Sequence, residues 1–275
     1  PIYAKEAATA DFQALENAPD MSLYATKDMN AENITNMADP LNAQDAATKA
    51  YVDELKAEIE ELKVETGLIV YDYDGNEYKT VRIGYQVWMA ENLKTTHYAD
   101  GTPIPFVTGD TEWNNLISTD KAYCFYNDNL LGEGETYGAL YSWAAAMNGA
   151  TASSDNPSRI QGVCPDGWHL PSRQEWNELK VFINEDGGKL KETGTEHWFS
   201  PNTGATNSTG FTALPGGERH WSGGSYDMGS YGYWWTTDDS GGEANFIRLK
   251  NNTTEIESAL TKRKDSGSSV RCVKN

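Results

Sequence analysis

Residues 163–188 read VCPDGWHLPSRQEWNELKVFINEDGG, and the fold class follows from this stretch. Ser172 stands where a helix would begin, with Glu175 three residues on. In that S-x-x-E pattern the serine oxygen accepts from the third backbone N–H of the helix, and the glutamate reaches back to the serine N–H. Trp176, Leu179 and Phe182 then fall on one face, so a helix is predicted from Ser172 onward. A second, shorter helix is predicted over YGALYSWAAAMNG (137–149), ended at Asn148-Gly149. On the other side of it, GLIVYDYDGNEYKTVRIG (67–84) places strand residues around Asp74-Gly75, a hairpin signal. After residue 190 the chain is glycine-rich and aromatic, with strand candidates GYWWTT, ANFIRLK and SSVRCVK. Two helices set among many short strands and long loops indicate an α+β domain.

That domain does not reach the start of the chain. All 9 tryptophans and all 25 glycines lie from residue 67 onward. Residues 67–275 can bury a core, whereas residues 1–66 are a poor candidate for a globule. Residues 1–41 are read as an extended segment ended by Pro40. Residues 42–66 are read as one helix, with Asn42 as N-cap and Gly67 as stop. Val52, Leu55, Ile59 and Leu62 follow 3-4-3 spacing, the a and d positions of two heptads, with Glu58 at g and Lys63 at the next e. The pattern fits a short coiled coil or an amphipathic helix packed on its own domain.

Charge and motif content exclude several function classes. A net charge of −19 argues against nucleic acid and against an anionic membrane face. No apolar run approaches the roughly 20 residues of a membrane span, and PIYAKEAATADF has no signal-peptide pattern. The four histidines stand alone and the three cysteines form no CxxC pair. No G-x-S-x-G elbow is present. DDSGGE (238–243) could hold calcium through oxygen ligands, but its ordinary reading is a solvated turn. No other cofactor is expected.

Eight motifs in order carry a specific likeness: IGYQVWMAENLKT, AYCFYND, YGALYSWAAAMN, CPDGWHLPSRQEW, GGKLKETGTEHW, GATNSTGFTALPGG, GYWWTT and SSVRCVKN. Together they resemble the Fibrobacter succinogenes major paralogous domain, a family similar to the C-type lectin fold and to the formylglycine-generating-enzyme superfamily. The resemblance implies a binding fold. It also implies that the terminal strands and loops are of the kind diversified by a retroelement. Catalytic members of that superfamily use paired cysteines near the C-terminus, and only Cys272 is present here, so no enzyme is expected. Cys164 and Cys272 each lie in one of the motif blocks and are expected to be bridged in an extracellular protein. NITNMADPLNAQDAATKAYVDELK (33–56) is similar to segments ahead of the tip domain in phage tail-fibre and collar proteins. That likeness implies a homotrimer, attached to other tail proteins through its N-terminus.

Residues 216–235, GGERHWSGGSYDMGSYGYWW, supply the candidate site. Six are aromatic, six are glycine and three are serine, so the stretch mixes rigid contact area with adaptable hydrogen bonding as antibody paratopes do. The candidates are Glu218, His220, Trp221, Ser222, Ser225, Tyr226, Asp227 and Tyr231, with Asn245, Glu255 and Glu257 in the later strands. At least one of Trp234 and Trp235 must be core, because adjacent strand residues face opposite ways. The expected function is a phage tail-fibre or receptor-binding tip protein that contacts a bacterial surface protein or glycan. The alternative is a secreted or surface bacterial adhesin.

Overall fold

A computed structural model describes residues 49–65 and 69–275. The segment 1–41, the Asn42 cap, the start of the predicted helix and the Gly67 stop lie outside the described residues. The chain divides into two units, Pro1–Ile59 and Glu60–Asn275. Helix α1, Lys49–Glu65, crosses that division. Along it Leu55, Ile59 and Leu62 are 39%, 50% and 49% exposed, and Val52 is half-buried.

The second unit begins with β1 (Ile69–Tyr71), β2 (Glu77–Ile83) and β3 (Gln86–Met89). Asp72 shapes the β1–β2 turn: its carboxylate accepts from the Asn76 backbone N–H, the Asn76 side chain and the Tyr78 hydroxyl. Next come α2 (Asp110–Asn114), β4 (Tyr123–Cys124), β5 (Leu140–Ser142), α3 (Trp143–Met147), β6 (Trp168–His169) and α4 (Arg173–Phe182). The last third holds β7 (Glu218–Arg219), β8 (Ser225–Tyr226), β9 (Tyr231–Ser240) and β10 (Glu243–Lys250). It ends with β11 (Glu257–Arg263), β12 (Gly267–Ser268) and β13 (Val273–Lys274).

These strands form three small antiparallel sheets, ordered β1-β2-β3-β13-β6, β11-β10-β9 and β4-β5-β12-β7-β8. The unit is therefore a mixed α/β fold with few helices. Strand β9 runs between two apolar clusters. Trp235 packs with Tyr123, Tyr141 and Phe246 on one side, and Trp234 with Trp88, Trp176 and Phe211 on the other. Each indole N–H is satisfied, Trp234 on Asn92 Oδ1 at 2.8 Å and Trp235 on the Tyr141 carbonyl at 2.7 Å. Both tryptophans are thus core, rather than at least one.

Helix α4 carries the capping box read from Ser172 and Glu175, a feature that contributes about 1 kcal/mol. Its buried face is Trp176, Leu179 and Ile183, while Phe182 is 59% exposed. A spacing of three then four keeps residues on one stripe of a 3.6-residue helix, and three then three drifts off it. His169 is structural: buried, it meets Glu175 Oε1 at 2.6 Å and Asn275 Oδ1 at 2.7 Å.

Two element predictions need correction. Residues 140–142 are strand, paired with β4 and β12, and they separate Tyr137, which ends a one-turn helix, from the helix Trp143–Met147. Ser142 makes the switch, because its hydroxyl accepts from the Ala145 N–H as a helix cap. In SSVRCVK only Ser268, at the end of β12, and Val273–Lys274 fall in strands. Its middle threads the core, where Arg271 donates to Asn92 Oδ1 at 2.7 Å and to the Ala90 carbonyl at 3.0 Å. Cys164 and Cys272 form a disulfide with a Cα–Cα distance of 6.0 Å, and Cys124 is a buried free thiol.

Candidate functional site

The candidate residues 218–226 form a short hairpin, with Glu218 opposite Tyr226 and Arg219 opposite Ser225. Its loop closes through His220 N–H to the Gly224 carbonyl at 2.8 Å and Gly223 N–H to the His220 carbonyl at 2.9 Å. Glycine is required where this loop meets α2. Gly223 has φ +104°, and a Cβ there would stand 2.0 Å from the Asp110 carbonyl oxygen. Gly223 is therefore a point where the hairpin backbone touches its support.

Arg219 anchors the hairpin from below. It is 1% exposed, and its guanidinium lies 5.7 Å from the Trp113 ring. Its Nη1 donates to Ser225 Oγ at 3.2 Å and stands 3.5 Å from Asp128, while Nη2 is 3.3 Å from Asp110. With the charge of Arg219 directed inward, the neighbouring side chains face out. Trp221 is 38% exposed and Tyr226 51%. Ser222 and Asp227 are exposed as well, and Glu218, His220, Ser225 and Tyr231 are half-buried. The rings of His220 and Trp221 are 5.0 Å apart, and Tyr226 meets His220 edge-on at 5.7 Å. Asp227 accepts from the Tyr233 hydroxyl at 2.6 Å. Burial, then this contact, pushes the Tyr233 phenol well above its usual pKa.

The structure does not bring all the later candidates to this surface. Asn245 is 5% exposed, with its side chain directed to the Leu260 carbonyl and Ser240, so it offers no ligand contact. Glu257 is bonded to Arg248 at 2.6 Å and Lys250 at 2.8 Å, a tie within the β10–β11 pair. Glu255 is exposed in the turn after β10, and among the described residues no hydrogen bond or ion pair joins it to the hairpin. The DDSGGE carboxylates diverge. Asp238 accepts from the Arg173 N–H, Asp239 pairs with Lys264, and Glu243 accepts from Thr261. Among the described residues no group of three or more His, Cys, Asp or Glu could hold a metal ion.

Four residues absent from the sequence candidates complete the site: Lys262, Arg263, Arg248 and Thr261. Lys262 bonds Glu218 at 2.8 Å and sits 4.4 to 5.0 Å from the Tyr233, Phe246 and Trp235 rings. Burial lowers its pKa, with Glu218 opposing the shift. Arg263 lies 4.5 Å over the Trp221 ring. The available signal was the run Lys262-Arg263-Lys264, a dense cationic stretch in a chain of charge −19.

A family model described as the Fibrobacter succinogenes major domain matches residues 81–274. A 30-residue stretch is 67% identical to a protein named "Anchor protein" from Klebsiella phage NTUH-K2044-K1-1, covering 11% of this chain and 9% of that relative. The chain thus matches only a small part of that relative's length. No solved structure matches. Among the described residues no helix is long and apolar enough to cross a membrane.

Proposed function

The chain belongs to the Fibrobacter succinogenes major domain family, and from that premise we propose that it is a non-catalytic receptor-binding tip protein of a phage tail fibre, recognising a bacterial surface ligand through the 218–231 hairpin and loop. Two exposed rings, Trp221 and Tyr226, on a hairpin anchored by a buried arginine, carry this reading. Rigid aromatic side chains on a fixed backbone lose little entropy on contact, and binding hot spots concentrate in such rings at about 2 kcal/mol or more each. The short likeness to a phage anchor protein supports the setting. In this proposal the domain is C-type-lectin-like, its hairpin residues are open to retroelement diversification, and the α1 stripe assembles a trimeric coiled coil with the N-terminus toward the other tail proteins. A trimer converts weak single-site binding into avidity.

The test is adsorption of fluorescently labelled full chain to a panel of bacterial strains. A Trp221→Ala, Tyr226→Ala double variant should lose adsorption to every strain that the parent binds, by a factor of 100 or more on the order expected for two hot spots, with its melting temperature retained. Undiminished adsorption by a folded double variant would refute the proposal.

A further inference from the structure

Between the β7–β8 hairpin and the face of β10 and β11 lies a cleft of about 360 Å³, lined among others by Glu218, Trp221, Glu243, Thr261, Lys262 and Arg263. Its size is at the lower end of small-ligand sites, roughly 300 to 1,000 Å³. Its chemistry is more specific than its size. The Lys262 side chain is only 12% exposed, and three aromatic rings surround the ammonium. An ammonium has three donors, and among the described residues Glu218 is its one hydrogen-bond acceptor. Desolvated donors without acceptors are costly, so the ammonium favours an incoming anion. Arg263, half-exposed over Trp221, presents a second cation at the rim; its Nε and Nη2 are held by Asp265, which leaves Nη1 to face a ligand. On the same walls Glu218 and Glu243 each keep carboxylate lone pairs that only a hydroxyl or N–H donor can use. A lone carboxylate would serve the cations and leave these acceptors unused. A neutral polyol would do the reverse.

We propose that this cleft binds a carboxylate-bearing sugar unit, its carboxylate on Lys262 and Arg263 and its hydroxyls donating to Glu218 and Glu243. The proposal rests on the reading of the hairpin as the recognition element and names the ligand chemistry beside it.

The experiment titrates purified full chain with methyl β-D-glucuronoside, methyl β-D-glucoside and the tripeptide Gly-Glu-Gly, followed by NMR and calorimetry. The glucuronoside is expected to bind about tenfold or more tighter than either other probe, the size of one charge-assisted hydrogen bond. Lys262→Met and Arg263→Gln should each remove most of that preference. Arg263 is half-exposed, so its variant tests the site even where Lys262→Met fails to fold. Equal affinity for glucuronoside and glucoside overturns the proposal, as does equal affinity for the tripeptide, or an unchanged preference in folded variants. Adsorption to bacteria is measured in parallel. Adsorption that depends on Trp221 and Tyr226, with no saturable glucuronoside binding, overturns the cleft and leaves the hairpin reading standing. Glucuronoside binding at Lys262 alongside adsorption indifferent to the two rings supports the cleft and overturns the hairpin reading.

Discussion

Trp221 and Trp234 belong to one twenty-residue stretch of uniform composition, and the structure gives them opposite fates. Trp234 is fully buried against Trp176 and Phe211, with its N–H bonded to Asn92. Trp221 is 38% exposed, touched by a histidine ring and an arginine. The residue type is the same and the glycine content around both is similar, so neither explains the difference. Backbone pairing does. Strand β9 pairs with β10 along one edge, bridges Gly217 and Ser269 along the other, and has an apolar cluster on either side, whereas β8 is a two-residue edge strand. A strand held along both edges and covered on both faces buries what alternates along it, and an edge hairpin buries only what its anchor pulls inward. In the hairpin that anchor is Arg219, a charged residue, which leaves the rings outside.

The comparison is broken most directly by truncating the buried ring. Trp234→Ala should lower stability by about 3 to 5 kcal/mol, the usual cost of emptying a large core site. Trp221→Ala should change stability by less than about 1 kcal/mol. Urea denaturation of both variants reads the difference. Equal losses would mean that Trp221 is part of the scaffold and that the hairpin surface is not free to bind.

Arg219 is the joint between the two regions, and its removal should have an intermediate effect. Arg219→Met keeps the length of the side chain but discards the contacts to Asp110, Asp128 and Ser225. Asp110 is 74% exposed along its side chain and can return to water, so the loss should fall near 2 kcal/mol rather than the 3 to 5 of a fully buried pair. Hydrogen exchange should then accelerate in residues 218–226 before it does in β9. Uniform acceleration across both would show that hairpin and strand unfold as one body.

How much of this was legible differs between the two regions for the same reason. The α4 capping box and the Asp74-Gly75 hairpin were readable because local chemistry fixes them, through one serine, one glutamate and one turn. Strand alternation required one buried tryptophan in β9; the second is buried because another apolar cluster covers the opposite face. Ser142 was misplaced inside a helix because its cap to Ala145 and its pairing across β5 are both compatible with the same apolar run. Asn245 reads from the sequence as a contact residue of a later strand, but strand alternation fixes a face and not whether that face is covered. Lys262 was missed because its value to the site lies in what surrounds it. The rings of Tyr233, Trp235 and Phe246 come from two other strands, and no spacing within β11 announces them.

The smallest predicted effect sharpens the comparison from the scaffold side, through Glu257. Partial burial opposes ionisation of this carboxylate, but hydrogen bonds from Arg248 and Lys250 outweigh it and hold the pKa below the ordinary 4.5. A depressed carboxylate contributes stability that is present in full above the unfolded-state pKa and is lost as pH falls through the folded-state value. The parent chain should therefore exceed Glu257→Gln in stability by a constant margin from pH 7 down to about pH 5, no larger than about 1 kcal/mol for a half-buried pair. Below pH 4.5 the margin should shrink as the carboxylate takes up its proton. Urea midpoints for both chains at pH 7, 5 and 3 measure it. Because Glu257 braces β10 and β11 rather than the hairpin, adsorption to bacteria at pH 7 should be the same for both chains. A margin that persists unchanged at pH 3 would mean that packing, not charge, is what Glu257 supplies. A loss of adsorption in the folded variant would move Glu257 from the scaffold to the recognition surface.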